Sequence, residues 1–437
     1  MTSALPQTYT HPTPLTTLAP HLIPHLPKSL PLLRRLQFHT SSPSALTIAT
    51  FPPSSAPATP FSALWADRTR APETEIWIFS TYETLPLLPA PTPSQRQEAK
   101  AQCLALLANA ARLPAPTPWA VVGSVNEILL RLIGGEEYID GLVPQGVVEH
   151  GHGVRGGDVN VVSGISVPYC KWLIAPPGRN VKSQKEAAGE DEKEDDDYET
   201  PLPPNYAFST LLTHELPLTI SRTSIPKTAF TLAQLGNVCV RYVSDATVHS
   251  TPSIPSTPPS PPSQSLPTTT TTTPIDPSTS TQPPNQSHHH QPIAWAFLGV
   301  DGSLSSLHVE PAHRRQGLAK AVSRRLLRRL ADDAAAMGFR AVSEGPGDDW
   351  GGVYGGQEGG GGEHGGRDRD GGTGGETTEY GAGEGWAHSD VAEENVGSAG
   401  VARGLGGRVG WRVRWVRMEL AAAVAVGEGE GEGEGGG

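Results

Sequence analysis

Two stretches of the 437-residue chain are unsuited to any packed interior, and they dictate how the rest must be organised. Residues 249–291 are rich in Pro, Ser and Thr, with TTTTTT and HHH runs, and residues 344–386 are dominated by glycine. Segments so poor in bulky apolar side chains bury too little surface to offset the entropy of ordering them. Both are expected to be disordered insertions. The charged, proline-flanked stretch at 176–204 reads as an acidic disordered linker and 421–437 as a disordered Gly/Glu tail. Two modules remain. A mixed α/β module is expected over 1–175, and a second module carrying both insertions over 205–420.

The net charge of −12 belongs to the low-complexity parts. Residues 186–199 hold nine acids against one lysine, and the GEGEGEGE tail adds four glutamates. The modules are near neutral on average, which provides neither a nucleic-acid footprint nor a trap for acidic substrates. No apolar run approaches the roughly 20 residues of a membrane-spanning helix, and the N-terminus has no apolar signal-peptide core. Nucleic acid and membrane are therefore not expected as partners. Cys103, Cys170 and Cys239 are few, odd in number and far apart, so a reducing compartment is expected. The cytoplasm comes first, then the nucleus, with the mitochondrion last. No metal site is expected, because His288–His290 lie in a tract without fixed geometry and His150 and His152 read as loop.

In the first module, hydrophobic periodicity predicts a short helix over 28–38 and strands over 45–51 and 75–81. A capping box at 94–97 should open a helix reaching about 113. A second helix is predicted over 125–133, then strands over 159–174 broken at Pro168. Asp67, Arg68, Glu73 and Glu75 read as a salt-bridged turn. In the second module, helical or turn character at 209–216 and 224–235 precedes a strand at 237–243. Apolar runs at 292–300 and 303–309 flank Asp301-Gly302, a hairpin signature because both turn positions favour positive φ. A helix should run from Gly317 to about 337, with Leu318, Val322, Leu326, Leu330 and Ala334 on one face. Its Arg324, Arg325, Arg328 and Arg329 read as a solvated face. A strand at 387–392, a helix at 395–405 and strand over 408–420 follow.

The segment with chemistry in it is Leu307–Ala319, LHVEPAHRRQGLA. It reads as a strand, a tight basic turn and a helix start. A helix N-terminus presents unpaired backbone N–H groups and a partial positive charge, so it takes phosphate. Gly317 and the small Ala319 let a pyrophosphate approach, and Arg314 and Arg315 can add charge-assisted contacts. Within this stretch no Gly-Lys-Ser/Thr follows the glycine and no G-x-G-x-x-G occurs, so it is neither of the two commonest nucleotide loops.

This stretch resembles the acyl-CoA-binding motif of the GNAT superfamily, [R/Q]-x-x-G-x-[G/A], matched by Arg314-Arg315-Gln316-Gly317-Leu318-Ala319 after a Leu-x-Val-x-Pro lead-in at Leu307, Val309 and Pro311. Downstream, Asn395, Ser398 and Leu405-Gly406 are similar to the second half of the GNAT core. With Trp295 and the hairpin ahead of the turn, the chain resembles most the glycine N-acyltransferase-like branch, whose members often carry a degenerate GNAT-like first half. The resemblance implies a mainly antiparallel mixed sheet with flanking helices, preceded by a second mixed α/β module. It also implies acetyl-CoA or another acyl-CoA as cosubstrate, held by the turn residues 314–319, by the main chain of Leu307 and Val309, and by Asn395. The reaction implied is direct attack of a primary amine, on a small molecule or a peptide, on the thioester. Candidate bases are His308 and Glu310, with Asp301 further off. The usual tyrosine acid is Ala402 here, the Phe of Leu-Gly-Phe is Gly407, and no carboxylate stands at Ser303 or Leu304. The other function this pattern allows is a CoA-binding or scaffold protein without catalysis, using its insertions for partner contacts.

Overall fold

The computed structural model describes residues 5–39, 42–57, 60–86, 89–134, 160–164, 167–175, 201–223, 225–243, 291–340 and 386–420. The expected linker, insertions and tail lie, apart from a few flanking residues, outside them. His150, His152 and His288–His290 lie outside them too.

The described strands are β1 (Tyr9–Thr10), β2 (Leu46–Ala49), β3 (Ser62–Ala66), β4 (Ile76–Ser80), β5 (Trp119–Asn126), β6 (Asn160–Gly164) and β7 (Tyr169–Ile174), then β8 (Tyr206–Ser209), β9 (Asn237–Tyr242), β10 (Pro292–Leu298), β11 (Leu304–Val309), β12 (Ala387–Ala392) and β13 (Arg408–Glu419). The main helices are α1 (Leu30–Gln37), α2 (Pro93–Ala111), α3 (Glu127–Gly134), α4 (Leu216–Ser221), α5 (Ala229–Ala233), α6 (Leu318–Asp332) and α7 (Val396–Gly404). The fold is mixed α/β, with two mainly antiparallel sheets flanked by helices. One sheet runs β1-β2-β3-β4-β5-β13-β7-β12, with β6 also on β13, and the other runs β11-β10-β9-β8.

Strand alternation divides the first module's core between the two faces of its sheet. Leu64, Ile76 and Val122 face α2 and α3, meeting Leu104, Leu107, Leu129 and Ile133. Ala63, Trp65, Trp77 and Phe79 face α1, meeting Leu32, Leu33 and Leu36. In the second sheet, Leu318, Val322, Leu326 and Leu330 of α6 join Val238, Val240, Ala294 and Ala296 in one core, the stripe that the four-residue spacing predicts.

The pairing of the last strands crosses the expected module boundary. Residues 387–392 and 408–420 belong to the expected second module, yet β12 pairs with β7 through six registered residues and β13 pairs with β5, β6 and β7. Strand β7 is thus clasped between two strands from the C-terminal end. Composition marks where linkers fall, but it carries no information about which distant strand supplies the ladder.

Several element limits also differ from expectation. Residues 125 and 126 belong to β5, and α3 starts at Glu127, with the Ile128 N–H donating to Asn126 Oδ1 at 3.1 Å. Helix α2 opens on a Thr92/Gln95 box rather than at 94–97. Thr92 Oγ1 accepts from the Gln95 N–H at 3.2 Å and Gln95 Oε1 accepts from the Thr92 N–H at 2.9 Å, which leaves Pro93 at the first helical position, where it loses no bond. Helix α6 stops at Asp332, after which Gly338 at φ +92 turns the chain so that Phe339 bridges Phe38. Arg325 lies over the Phe208 ring at 4.6 Å and Arg329 donates to Asn237 O at 3.3 Å, so the basic face of this helix is partly docked on the sheet.

Candidate active site

The β10–β11 hairpin turns at Asp301-Gly302 as expected, with Gly302 at φ +74. Its register then slips. Trp295 pairs with His308 but Phe297 pairs with Ser305, and Ser306 sits at φ 49, so β11 carries a bulge. Strand β11 is an edge of its sheet. Its other neighbour, β12, runs parallel and meets it at one bridge, Ser303 to His388, reinforced by the Ser389 hydroxyl donating to Leu304 O at 3.3 Å. Among the described residues no further ladder joins them toward Val309 and Ala392. The Leu307 and Val309 side chains pack against the core.

At the open end of β11 the chain turns through Pro311–His313 and Arg314 into Arg315 (φ +65) and Gly317 (φ +80), the N-cap of α6. A Cβ placed on Gly317 would meet nothing within 4 Å, so the glycine answers the left-handed backbone and the space above it is open. No side chain caps this helix, so its first N–H groups are free to take an external anion. Arg314, Arg315, Gln316 and Gly317 are exposed, Leu318 is buried in the core and Ala319 is half-buried. Arg314 Nε donates to Val309 O at 3.0 Å, drawing the turn back onto the strand end.

His308 stacks on Trp295 with ring centroids 4.6 Å apart. Its Nε2 lies 3.6 Å from Glu310 Oε1, which in turn receives Arg222 Nε at 3.0 Å. Burial pushes the His308 imidazole below its ordinary value, and Glu310 only partly offsets that. The structure thus brings His308 and Glu310 together, one turn from the Arg314–Ala319 cradle. Asp301 is placed elsewhere, fully buried at the hairpin tip. Burial alone would raise it, yet His388, Lys171 and two bonds from Ser303 hold it down at about 2. So locked a carboxylate is a poor proton acceptor. Asn395 caps α7, its Oδ1 accepting from the Ser398 N–H at 2.9 Å. Ala402 is packed with Trp172 and Val391, and a Cβ on Gly407 would come within 2.7 Å of Ala402 O, so neither position has room for the family's aromatic side chain without rearrangement.

Sequence reasoning missed a buried polar cluster beside the split. Lys171 Nζ donates to Ser124 Oγ at 2.6 Å, to His388 Nδ1 at 3.0 Å and to Asp390 Oδ2 at 2.8 Å, while His388 Nε2 lies 2.8 Å from Asp301 O. The available signal was His388 and Asp390 two apart on one face of a short strand, opposite nothing in their own module that could pair with them. The turn at 67–75 is salt-bridged as expected, Arg68 to Glu75 at 3.2 Å and Arg70 to Glu73 at 3.1 Å. Cys103 and Cys239 are buried, and burial pushes their thiols up to about 12 and about 11, which makes them poor nucleophiles. Among the described residues no group of three or more His, Cys, Asp or Glu could hold a metal ion, and no helix is long and apolar enough to cross a membrane.

Residues 5–172 match the family model described as the acyl-CoA N-acyltransferase verG N-terminal domain. No curated protein matches the sequence. Similar solved structures include a Drosophila protein at 9% identity over 92% of this chain and 95% of its own, TM-score 0.44. A GCN5-related N-acetyltransferase from Kribbella flavida is similar at 10% identity over 82% and 85%, TM-score 0.34. A tandem GNAT protein from the clavulanic acid biosynthesis pathway is similar at 10% identity over 94% and 97%, TM-score 0.34. The family-model match lies in the first module and covers less than half of the chain, whereas the cradle lies in the second.

Proposed function

We propose that the chain is an acyl-CoA-dependent N-acyltransferase of the glycine N-acyltransferase-like branch, working in the cytoplasm, that moves an acyl group, acetyl first, onto a primary amine. The observation that carries this is the uncapped N-terminus of α6, with the open space over Gly317 at the mouth of the β11–β12 split. The N–H groups of Arg315–Ala319 and the side chains of Arg314 and Arg315 hold the pyrophosphate. The main chain of Leu307 and Val309 receives the pantetheine arm along the free edge of β11. Asn395 adds a donor through Nδ2, its Oδ1 being spent on the α7 cap.

Direct attack requires a neutral amine. His308, kept uncharged by burial, is suited to take the amine's proton, and Glu310 steadies the imidazolium that results. Arg222 holds Glu310 in place. The second reading, a CoA-binding protein without catalysis, draws on the buried Ala402 where a tyrosine acid is usual.

A thermal melt with acetyl-CoA tests the binding half. At about 100 times the dissociation constant the gain is roughly 2.7 kcal/mol, a shift of several degrees. Thiol release from acetyl-CoA over a panel of primary amines then separates the readings. Release that rises with one amine supports transfer, a melt shift with no thiol release above the protein-free control supports the non-catalytic reading, and no shift sinks both.

A further inference from the structure

The β11–β12 split has a closed end, and that end is pinned by residues from both halves of the chain. His388 is the β12 partner in the Ser303 bridge. Its two ring nitrogens are both engaged, Nδ1 with Lys171 Nζ at 3.0 Å and Nε2 with Asp301 O at 2.8 Å. Lysine can only donate, so Nδ1 accepts, and Nε2 therefore carries the hydrogen given to the Asp301 carbonyl. That bond ties the start of β12 to the hairpin tip ahead of β11. Lys171, on β7 of the N-terminal half, spends its three hydrogens on Ser124, His388 and Asp390. The first residue of β12's lead-in is held as well, by Arg34 donating to Trp386 O at 2.9 Å. Lys171 and His388 are fully buried, and with every hydrogen of this pair committed neither is available to move protons during a reaction.

We propose that His388, fixed by Lys171 of the N-terminal half, is a positioning residue that sets the closed end of the split, and so the place where the acyl end of a bound acyl-CoA comes to rest. This rests on the acyl-CoA reading above, and extends it by making the transfer site incomplete without β7. The nucleotide end is held elsewhere, by the cradle at Arg314–Ala319. A change at the pin should therefore be felt by the thioester arm and not by the phosphates.

The two amide replacements divide the roles of the ring. His388→Asn keeps an acceptor near Nδ1 for Lys171 and loses the donor to Asp301, whereas His388→Gln reaches as far as Nε2 and keeps that donor. The full-length protein and both variants are titrated with acetyl-CoA and with adenosine 3′-phosphate 5′-diphosphate, which carries the pyrophosphate but no pantetheine arm. The expected result is an acetyl-CoA affinity about tenfold weaker in His388→Asn, with nucleotide affinity unchanged within about twofold and acetyl-CoA affinity largely restored in His388→Gln. Equal losses for both ligands, or no loss in His388→Asn, would overturn the positioning role while leaving the acyl-CoA reading in place. Failure of the parent protein to bind either ligand would sink the acyl-CoA reading and this inference with it.

Discussion

Among the described residues two parallel strand pairs meet at one end without pairing further, and they differ in what fills the gap. In the first module, β4 and β5 pair in register only at Ile76 and Val122. The space between Trp77–Phe79 and Gly123–Ser124 is a cavity of about 10 Å³, the room of one water, walled also by Lys28, Leu32, Glu83 and Trp411. Gly123 is in close approach to its neighbours, since a Cβ there would clash with the Thr74 methyl. The helix that follows, α2, satisfies its own N-terminus through Thr92 and Gln95. In the second module the gap between β11 and β12 leads to a helix with no side-chain cap and to a glycine with nothing above it. One frame has been closed with the chain's own side chains, and the other keeps the same groups free for a ligand. Binding capacity therefore follows from what is left unsatisfied rather than from the strand arrangement.

The largest expected effect comes from closing the open gap. Gly317→Glu forces a side chain into a left-handed position and sets a carboxylate over the helix N-terminus. Acetyl-CoA affinity should fall by more than about 100-fold, more than roughly 2.7 kcal/mol, in a calorimetric titration. Retained affinity would mean that the two splits are equivalent shells and that the cradle lies elsewhere.

The sequence showed the second split better than the first for a physical reason. Asp301-Gly302, the Arg314–Ala319 turn and the α6 stripe are set by neighbours a few residues apart, where propensity and periodicity act. The clasp of β7 by β12 and β13 joins residues more than 200 positions distant, such as Lys171 with Asp390, and no local pattern announces it. The bulge at Ser306 was hidden too, because a serine at φ 49 is imposed by the slip of β11 against β10 and not by its own preference. The filling of the first split was equally out of reach, since Lys28, Glu83 and Trp411 come from three unrelated segments.

The closed gap can be probed through its buried acid. Burial pushes the Glu83 carboxyl up to about 7, against bonds from the Ser80 N–H and Asn126 Nδ2 and the nearby Lys28 and Lys171 charges. A carboxyl raised in the folded state contributes stability that is fully present below its unfolded value of about 4.5, and that stability is lost as pH rises through about 7. Glu83→Gln keeps an acceptor and does not titrate. Between pH 5 and pH 8 the parent should therefore lose about 2 kcal/mol relative to the variant, read from paired melts. Parallel curves would show that the gap is wetter than its side chains suggest.

The smallest effect tests how far the open gap extends. Asn395 uses Oδ1 to cap α7, and the resemblance that marks it as a cofactor contact needs its other end, Nδ2. Asn395→Asp retains a capping oxygen of equal quality and exchanges the donor for a second acceptor. Folding stability should stay within about 0.5 kcal/mol, while acetyl-CoA affinity drops roughly fivefold, the worth of one hydrogen bond at about 1 kcal/mol. An unchanged affinity would confine Asn395 to its cap, and the ligand would then be held from the β11 side and the cradle alone. The β12 side of the split would in that case resemble the first module's gap, a wall that shapes the space without offering a bond.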